Sequence, residues 1–252
     1  MITDKLAEWE TESRRKLWRE AFDDSEAFLD NFDRTAFSKE RYCSVIINGE
    51  VVSALYFFDC EYDGGKIAYI YAVATLKAYR GQGLCRKLFD RAHEYLKNLG
   101  YVGVILCPGS ESLFGFYKSM GYTDCTRVSE YDVTAGDAVS IREINKDEYA
   151  KLRRKYLKSG AVVQERENID FLATFSSFYE GDDFVLTARR EGNLLFCAEL
   201  LGNIDAASGI TRALGYEKGF FRTDGSEKQF TMYYSLDGGK TPPPTYFGLA
   251  FD

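Results

Sequence analysis

The stretch IAYIYAVATLKAYRGQGLCRKLFDRAHEYLKNLG, residues Ile67 to Gly100, decides how the chain is read. It opens as a strand, because Ile67, Tyr69, Tyr71 and Val73 alternate with mostly smaller residues at the period of a pleated surface. The turn Arg80-Gly81-Gln82-Gly83 follows. Beyond it, Leu84, Leu88, Ala92, Tyr95, Leu96 and Leu99 fall at helical spacing, and Gly100 stands where a C-terminal glycine belongs. The first N–H groups of a helix have no internal partners and its dipole favours negative charge. A strand, a glycine-bearing turn and a helix opening therefore make an anion site.

The spacing narrows the kind of anion. There is no Gly-Lys-Ser/Thr as in a P-loop, and no third glycine as in a dinucleotide fingerprint. Arg80-x-x-Gly83-x-Cys85 resembles instead the pyrophosphate signature of the GNAT acetyltransferase superfamily, Gln/Arg-x-x-Gly-x-Gly/Ala, with Cys85 where the family prefers Gly or Ala. A second stretch, VGVILCPGSESLFGFYKSMGYTDC (Val102 to Cys125), reads as a buried strand, a Pro-Gly turn, a short helix from Ser112, and Gly121-Tyr122 leading into another strand. It resembles the family's later motif, a strand and a tyrosine-bearing helix closing on Gly-Phe or Gly-Tyr.

The resemblance implies acetyl transfer from acetyl-CoA (coenzyme A) to a primary amine by direct attack in a ternary complex. It assigns the diphosphate to Arg80, Gly81, Gln82, Gly83, Leu84 and Cys85. Ser110 and Glu111 lie beside the pantetheine arm, and Tyr117 is the general acid for the departing thiolate. Backbone N–H groups at Val73 and Thr75 would meet the thioester carbonyl, whose negative charge grows during attack. Many family members carry a basic glutamate on the central strand, where this chain has Tyr69 and Tyr71. Asp59 and Glu61 are the nearest carboxylates in sequence, and a water relay or Asp252 is equally open. A non-catalytic acyl-CoA-binding or regulatory module is the alternative reading.

Further along, FVLTARREGNLLFCAELL repeats the design of SVIINGEVVSALYFF, and ITRALGYEKGFF echoes FGFYKSMGYTDC. Between these echoes the second half offers only Gly202 to Ala213, with no Arg-x-x-Gly. The expected fold class is α+β: a GNAT-like mixed, mostly antiparallel sheet flanked by helices, followed by a second, smaller GNAT-like α+β unit. Residues 1–138 form the cofactor-binding domain and 139–252 a degenerate one lacking the loop. The tail from Lys240 through Pro242-Pro243-Pro244 to YFGLAF reads as a turn into a final strand. At the other end, helices are expected up to Asp23-Asp24 and from an N-cap at Ser25.

Composition bounds the rest. With 45% hydrophobic and 28% charged residues, the 252-residue chain has ample material for a core. A net charge of −7 argues against sequence-independent nucleic-acid binding. No apolar run reaches the roughly 18 residues of a membrane span, and the N-terminus lacks the apolar core of a secretory signal, so a cytoplasmic, non-membrane protein is expected. Six cysteines without a C-x-x-C pair read as reduced thiols. No metal site is expected, and the lone His93 is placed on a helix surface. The acceptor's identity and the oligomeric state are not legible.

Overall fold

The computed structural model describes residues 6–251. Two helices open it: α1 (Glu8–Phe22) and α2 (Glu26–Thr35), the second capped by Ser25, whose hydroxyl accepts the N–H of Phe28 at 3.2 Å. The hairpin β1 (Tyr42–Ile47) and β2 (Glu50–Tyr62) turns at Asn48-Gly49, both residues at positive φ, as a tight two-residue turn requires. β3 (Gly65–Thr75), α3 (Leu84–Asn98) and β4 (Tyr101–Leu106) form a crossover unit with β3 and β4 parallel. α4 (Glu111–Lys118), β5 (Thr123–Asp124) and β6 (Arg127–Thr134) follow. The second half runs β7 (Arg142–Ile144), α5 (Lys146–Tyr156), β8 (Val163–Gln164), α6 (Glu167–Leu172), β9 (Ser177–Glu180), β10 (Phe184–Glu191) and β11 (Leu194–Gly202). It ends with α7 (Ala207–Ala213), β12 (Lys218–Asp224), β13 (Lys228–Gln229) and β14 (Met232–Ser235).

Among the described residues these strands make two seven-stranded sheets. The first is ordered β1-β2-β3-β4-β14-β5, with β8 also on β2; the second is β13-β6-β12-β11-β10-β9-β7. Both are mixed and mostly antiparallel, and each holds one parallel pair with a helix in its crossover, β3–α3–β4 and β11–α7–β12. The α+β architecture is thus as expected.

The sheets do not divide at residue 138. β6, assigned by sequence to the first unit, pairs with β12 in the second sheet, while β14 lies between β4 and β5 in the first. The first half lends β6 to the second sheet, and the second half lends β8 and β14 to the first. Alternation tells which face of a strand is buried but not which neighbour it pairs with, so the exchange is invisible in sequence. A second expectation also changes. ITRALGYEKGFF corresponds by topology to the end of α3 and the start of β4, not to α4: Leu214-Gly215-Tyr216 matches Leu99-Gly100-Tyr101. Helix α7 spans 7 residues against 15 in α3.

The tail is not a strand. Residues 241–251 make a single bridge, Ala161 to Tyr246, because three consecutive prolines supply no ladder donors. Its residues from Tyr246 to Phe251 are nonetheless buried. They are fixed by a polar cluster inside the second half. Arg153 and Glu199, both fully buried, meet in two hydrogen bonds of 2.7 and 3.0 Å. Glu199 also accepts the hydroxyls of Tyr149 at 2.8 Å and Tyr246 at 2.9 Å. Gln164 clamps Leu249 by both its N–H, 3.0 Å, and its carbonyl, 2.6 Å.

Helix α6 stops at Leu172, and Ser177–Glu180 is strand β9. His93 is buried rather than superficial. Its Nε2 lies 2.8 Å from the Tyr122 hydroxyl and its ring stacks on Tyr234 of the exchanged strand, and burial holds it near neutrality with a pKa lowered to about 4.

Candidate functional site

The parallel pair β3–β4 is hydrogen-bonded only from Lys66–Ile70 against Tyr101–Leu106. Beyond Ile70, β3 continues to Thr75 without β4, which gives way to Cys107-Pro108-Gly109. The strand is also bent there. Leu55 of β2 faces two residues of β3, and Ala72 takes φ +48°, a bulge that re-aims the backbone where the strands part. A cavity of about 1340 Å³ opens at this point, with Tyr71, Ala72 and Val73 on one side and Cys107, Gly109 and Ser110 on the other.

Of the sequence-predicted residues, Val73, Ser110, Glu111 and Tyr117 line this cavity. Tyr117 is 7% exposed, and its hydroxyl has no hydrogen-bond partner among the described residues. Burial is the main cause that raises its pKa, so the phenol keeps its proton at neutral pH. Ser110 precedes α4 and its hydroxyl shares a 2.9 Å hydrogen bond with Ser112.

Thr75 and the loop from Arg80 to Cys85 do not line the cavity. Thr75 is used structurally: its hydroxyl meets Ser53 at 2.8 Å, and its carbonyl accepts Arg80 Nε at 3.0 Å. Gln82 similarly folds back, donating to the Ala78 carbonyl at 3.3 Å. The loop is therefore braced by its own polar side chains while its backbone faces outward. Gly81 and Gly83 adopt φ +76° and +72°, and the residues from Arg80 to Gly83 are exposed. None of the N–H groups from Gly81 to Arg86 finds an acceptor among the described residues; the first bonded one is Lys87, to the Gly83 carbonyl at 3.1 Å. These free donors at the start of a 15-residue helix fit an anion. Leu84 and Cys85 turn their side chains inward onto the two cores. The Cys85 thiol, pushed up to about 11 by burial, leaves only its main chain on the outer face.

The candidate bases fall elsewhere. Asp59 accepts the Tyr101 hydroxyl and lies 3.8 Å from Arg41, and Glu61 pairs with Arg154 at 3.1 Å. Neither carboxylate lines the cavity. Asp252 lies outside the described residues. The cavity's remaining walls come from residues outside the expected cofactor-binding and catalytic set. They include Trp18, Asp24 and Phe28 around the α1–α2 junction, Arg189 and Arg222 from the second sheet, and Phe251 of the tail. Tyr71 donates its hydroxyl to the Phe251 carbonyl at 3.2 Å, tying the tail to the bulged strand.

No helix among the described residues is long and apolar enough to cross a membrane. Residues 3–125 match the family model described as an acetyltransferase (GNAT) domain. The curated N-alpha-acetyltransferase 30 of Schizosaccharomyces pombe is 32% identical over 72 residues, 28% of this chain, and the chain spans 48% of that relative's length. Among solved structures, a GCN5-related N-acetyltransferase from Kribbella flavida superposes with a TM-score of 0.70 at 17% identity, over 94% of this chain and 72% of the other. Eis1 from Mycobacterium abscessus gives 0.66 at 13% identity, over 91% and 72%. A tandem GNAT protein from the clavulanic acid biosynthesis pathway gives 0.55 at 11%, over 90% and 94%. At such identities these structures speak for the fold, and the domain match for the family. Residues 3–125 are thus similar to the GNAT acetyltransferase domain.

Proposed function

We propose that the protein is an acetyl-CoA-dependent N-acetyltransferase acting on a primary amine, with a second half that binds no cofactor. The observation that carries this reading is the cavity between the parted ends of β3 and β4, with the open phenol of Tyr117 on its wall. The GNAT family generally takes its acyl group from acetyl-CoA, and the unbonded amides after Arg80 and the parted strands support such a donor here. In this reading the free amides from Gly81 to Arg86 hold the diphosphate, worth roughly 0.3–2 kcal/mol from the helix end alone. The pantetheine arm runs between Val73 and Ser110-Glu111. The neutral amine attacks the thioester carbon, the carbonyl oxygen gathers charge beside the bulged main chain at Val73, the nitrogen sheds its extra proton to water, and the C–S bond breaks. Tyr117 gives its proton to the leaving thiolate, a task suited to a phenol whose burial keeps it protonated.

Two measurements test this. Gly83→Asp should weaken acetyl-CoA binding, read by calorimetry, by at least about tenfold, since about 1.4 kcal/mol suffices for that. Any side chain at φ +72° costs about 1–2 kcal/mol of stability. Gly83→Ala carries the same strain without the charge and should bind within about threefold of the parent, so charge and backbone effects separate. Equal binding by Gly83→Asp and the parent would remove the diphosphate site. Tyr117→Phe should keep its affinity for acetyl-CoA and lose about 10²–10³ in kcat for thiol release, within the range of general acid catalysis. Unchanged turnover would take Tyr117 out of the chemistry. An acyl-CoA-binding module without catalysis would instead show tight cofactor binding and no thiol release with any amine.

A further inference from the structure

The α1–α2 junction supplies the cavity with an acid that has no cationic partner among the described residues. Asp24 is half-buried, and its Oδ2 accepts the indole N–H of Trp18 at 2.8 Å. Its Oδ1 has no hydrogen bond or ion pair among the described residues. The arginines of the adjoining helix are committed elsewhere: Arg15 to Glu26, Asp30 and Asp33 at 2.7 to 2.9 Å, and Arg19 to Glu26. The indole bond fixes the carboxylate's direction without adding positive charge.

Aromatic rings surround the Trp18 indole that holds it. Trp18 packs edge-on to Phe22 at 5.7 Å and against Phe28 at 6.5 Å between centroids, and Tyr71 closes the wall at 5.9 Å. Phe22, Phe28 and Tyr71 all line the cavity, and Phe22 is 42% exposed, so its ring has a face left for a ligand. A carboxylate backed by ring faces is complementary to one kind of group: a cation, which gains from the charge and from the ring quadrupoles together. Arg189 and Arg222, which also line the cavity, are each paired with a carboxylate, Glu191 at 2.6 Å and Glu130 at 3.0 Å.

Resting on the acetyltransferase reading, we propose that the acceptor is a cationic amine with an apolar body, recognised on entry by Asp24 through its ammonium group and by Phe22, Phe28 and Tyr71 through that body. Asp24 is a binding group here; loss of the ammonium proton before attack is a separate step and is not assigned to it. The probe is 2-phenylethylamine, with 2-phenylethanol as a neutral counterpart of similar shape, each titrated by calorimetry into the full chain with CoA present. The parent protein should prefer the amine by tenfold or more. Asp24→Asn preserves shape and the indole contact; it should abolish that preference while binding CoA as the parent does. Retention of the preference in Asp24→Asn, or no preference in the parent, overturns the proposal. Thiol release is recorded separately: its absence with every amine overturns the enzyme reading, and it does so whatever Asp24 does in the binding assay.

Discussion

Replacing Glu199 by alanine should lower the stability of the protein by about 3–5 kcal/mol, the effect expected when one member of a buried ion pair is removed and its partner is left uncompensated. Arg153 would then lie fully buried without its carboxylate, and the Tyr149 and Tyr246 hydroxyls would lose their acceptor. For a chain of this size, about 1 kcal/mol moves the melting midpoint by roughly 2–4 °C, so a fall of about 6–20 °C is expected by calorimetry. The site should suffer as well. Glu199 anchors Tyr246, and the same tail places Ala250 and Phe251 on the cavity wall. Gly248 reports on the same contact, because a Cβ there would stand 1.7 Å from Glu199 Oε1. A loss below about 1 kcal/mol for Glu199→Ala, the size of an ordinary surface change, would mean the cluster does not hold the tail.

The second large effect concerns the halves. A fragment of residues 1–138 should fail to fold cooperatively and should bind no acetyl-CoA. It lacks β14, whose Met232 to Ser235 pair with Leu106 to Gly103 on one side and with Asp124 and Thr123 on the other. It loses the Tyr233 ring, which covers Gly103 so closely that a Cβ would come within 2.3 Å, and Tyr234, on which His93 stacks. It also carries β6 with no sheet to join, and an unpaired strand is a template for aggregation. Circular dichroism on heating should show a broad, non-cooperative change for the fragment and a sharp one for the full chain. A sharp melt and intact cofactor binding in the fragment would show that the first half is self-sufficient.

What was legible in the sequence follows from range. The loop, α3 and the tyrosine helix are read from spacing within a few residues, and Gly83, Ser110 and Tyr117 stand where that spacing puts them. Cys85 departs from the resembled pattern without harm to the outer face, because its side chain is inside. Several features that the sequence does not show depend on partners far away along the chain. His93 owes its burial to Tyr122 and to Tyr234, and Asp59 and Glu61 are drawn off by Tyr101 and Arg154. Asp24 was visible only as the end of a helix, since its exposure to the cavity depends on how α1 meets β3. The alignment of α7 with α3 did have a local signal, the shared Leu-Gly-Tyr, which the more obvious Gly-Tyr after α4 obscured.

The lent strands also set a timetable for synthesis. At about 5–20 residues per second, the ribosome needs roughly 5–20 s to pass from β5 to β14. Throughout that interval the nascent first sheet has a gap between β4 and β5. The first half, although made first, cannot be finished first. The newborn chain is open to capture by chaperones, or by the same strand of a neighbouring copy, until residue 235 emerges.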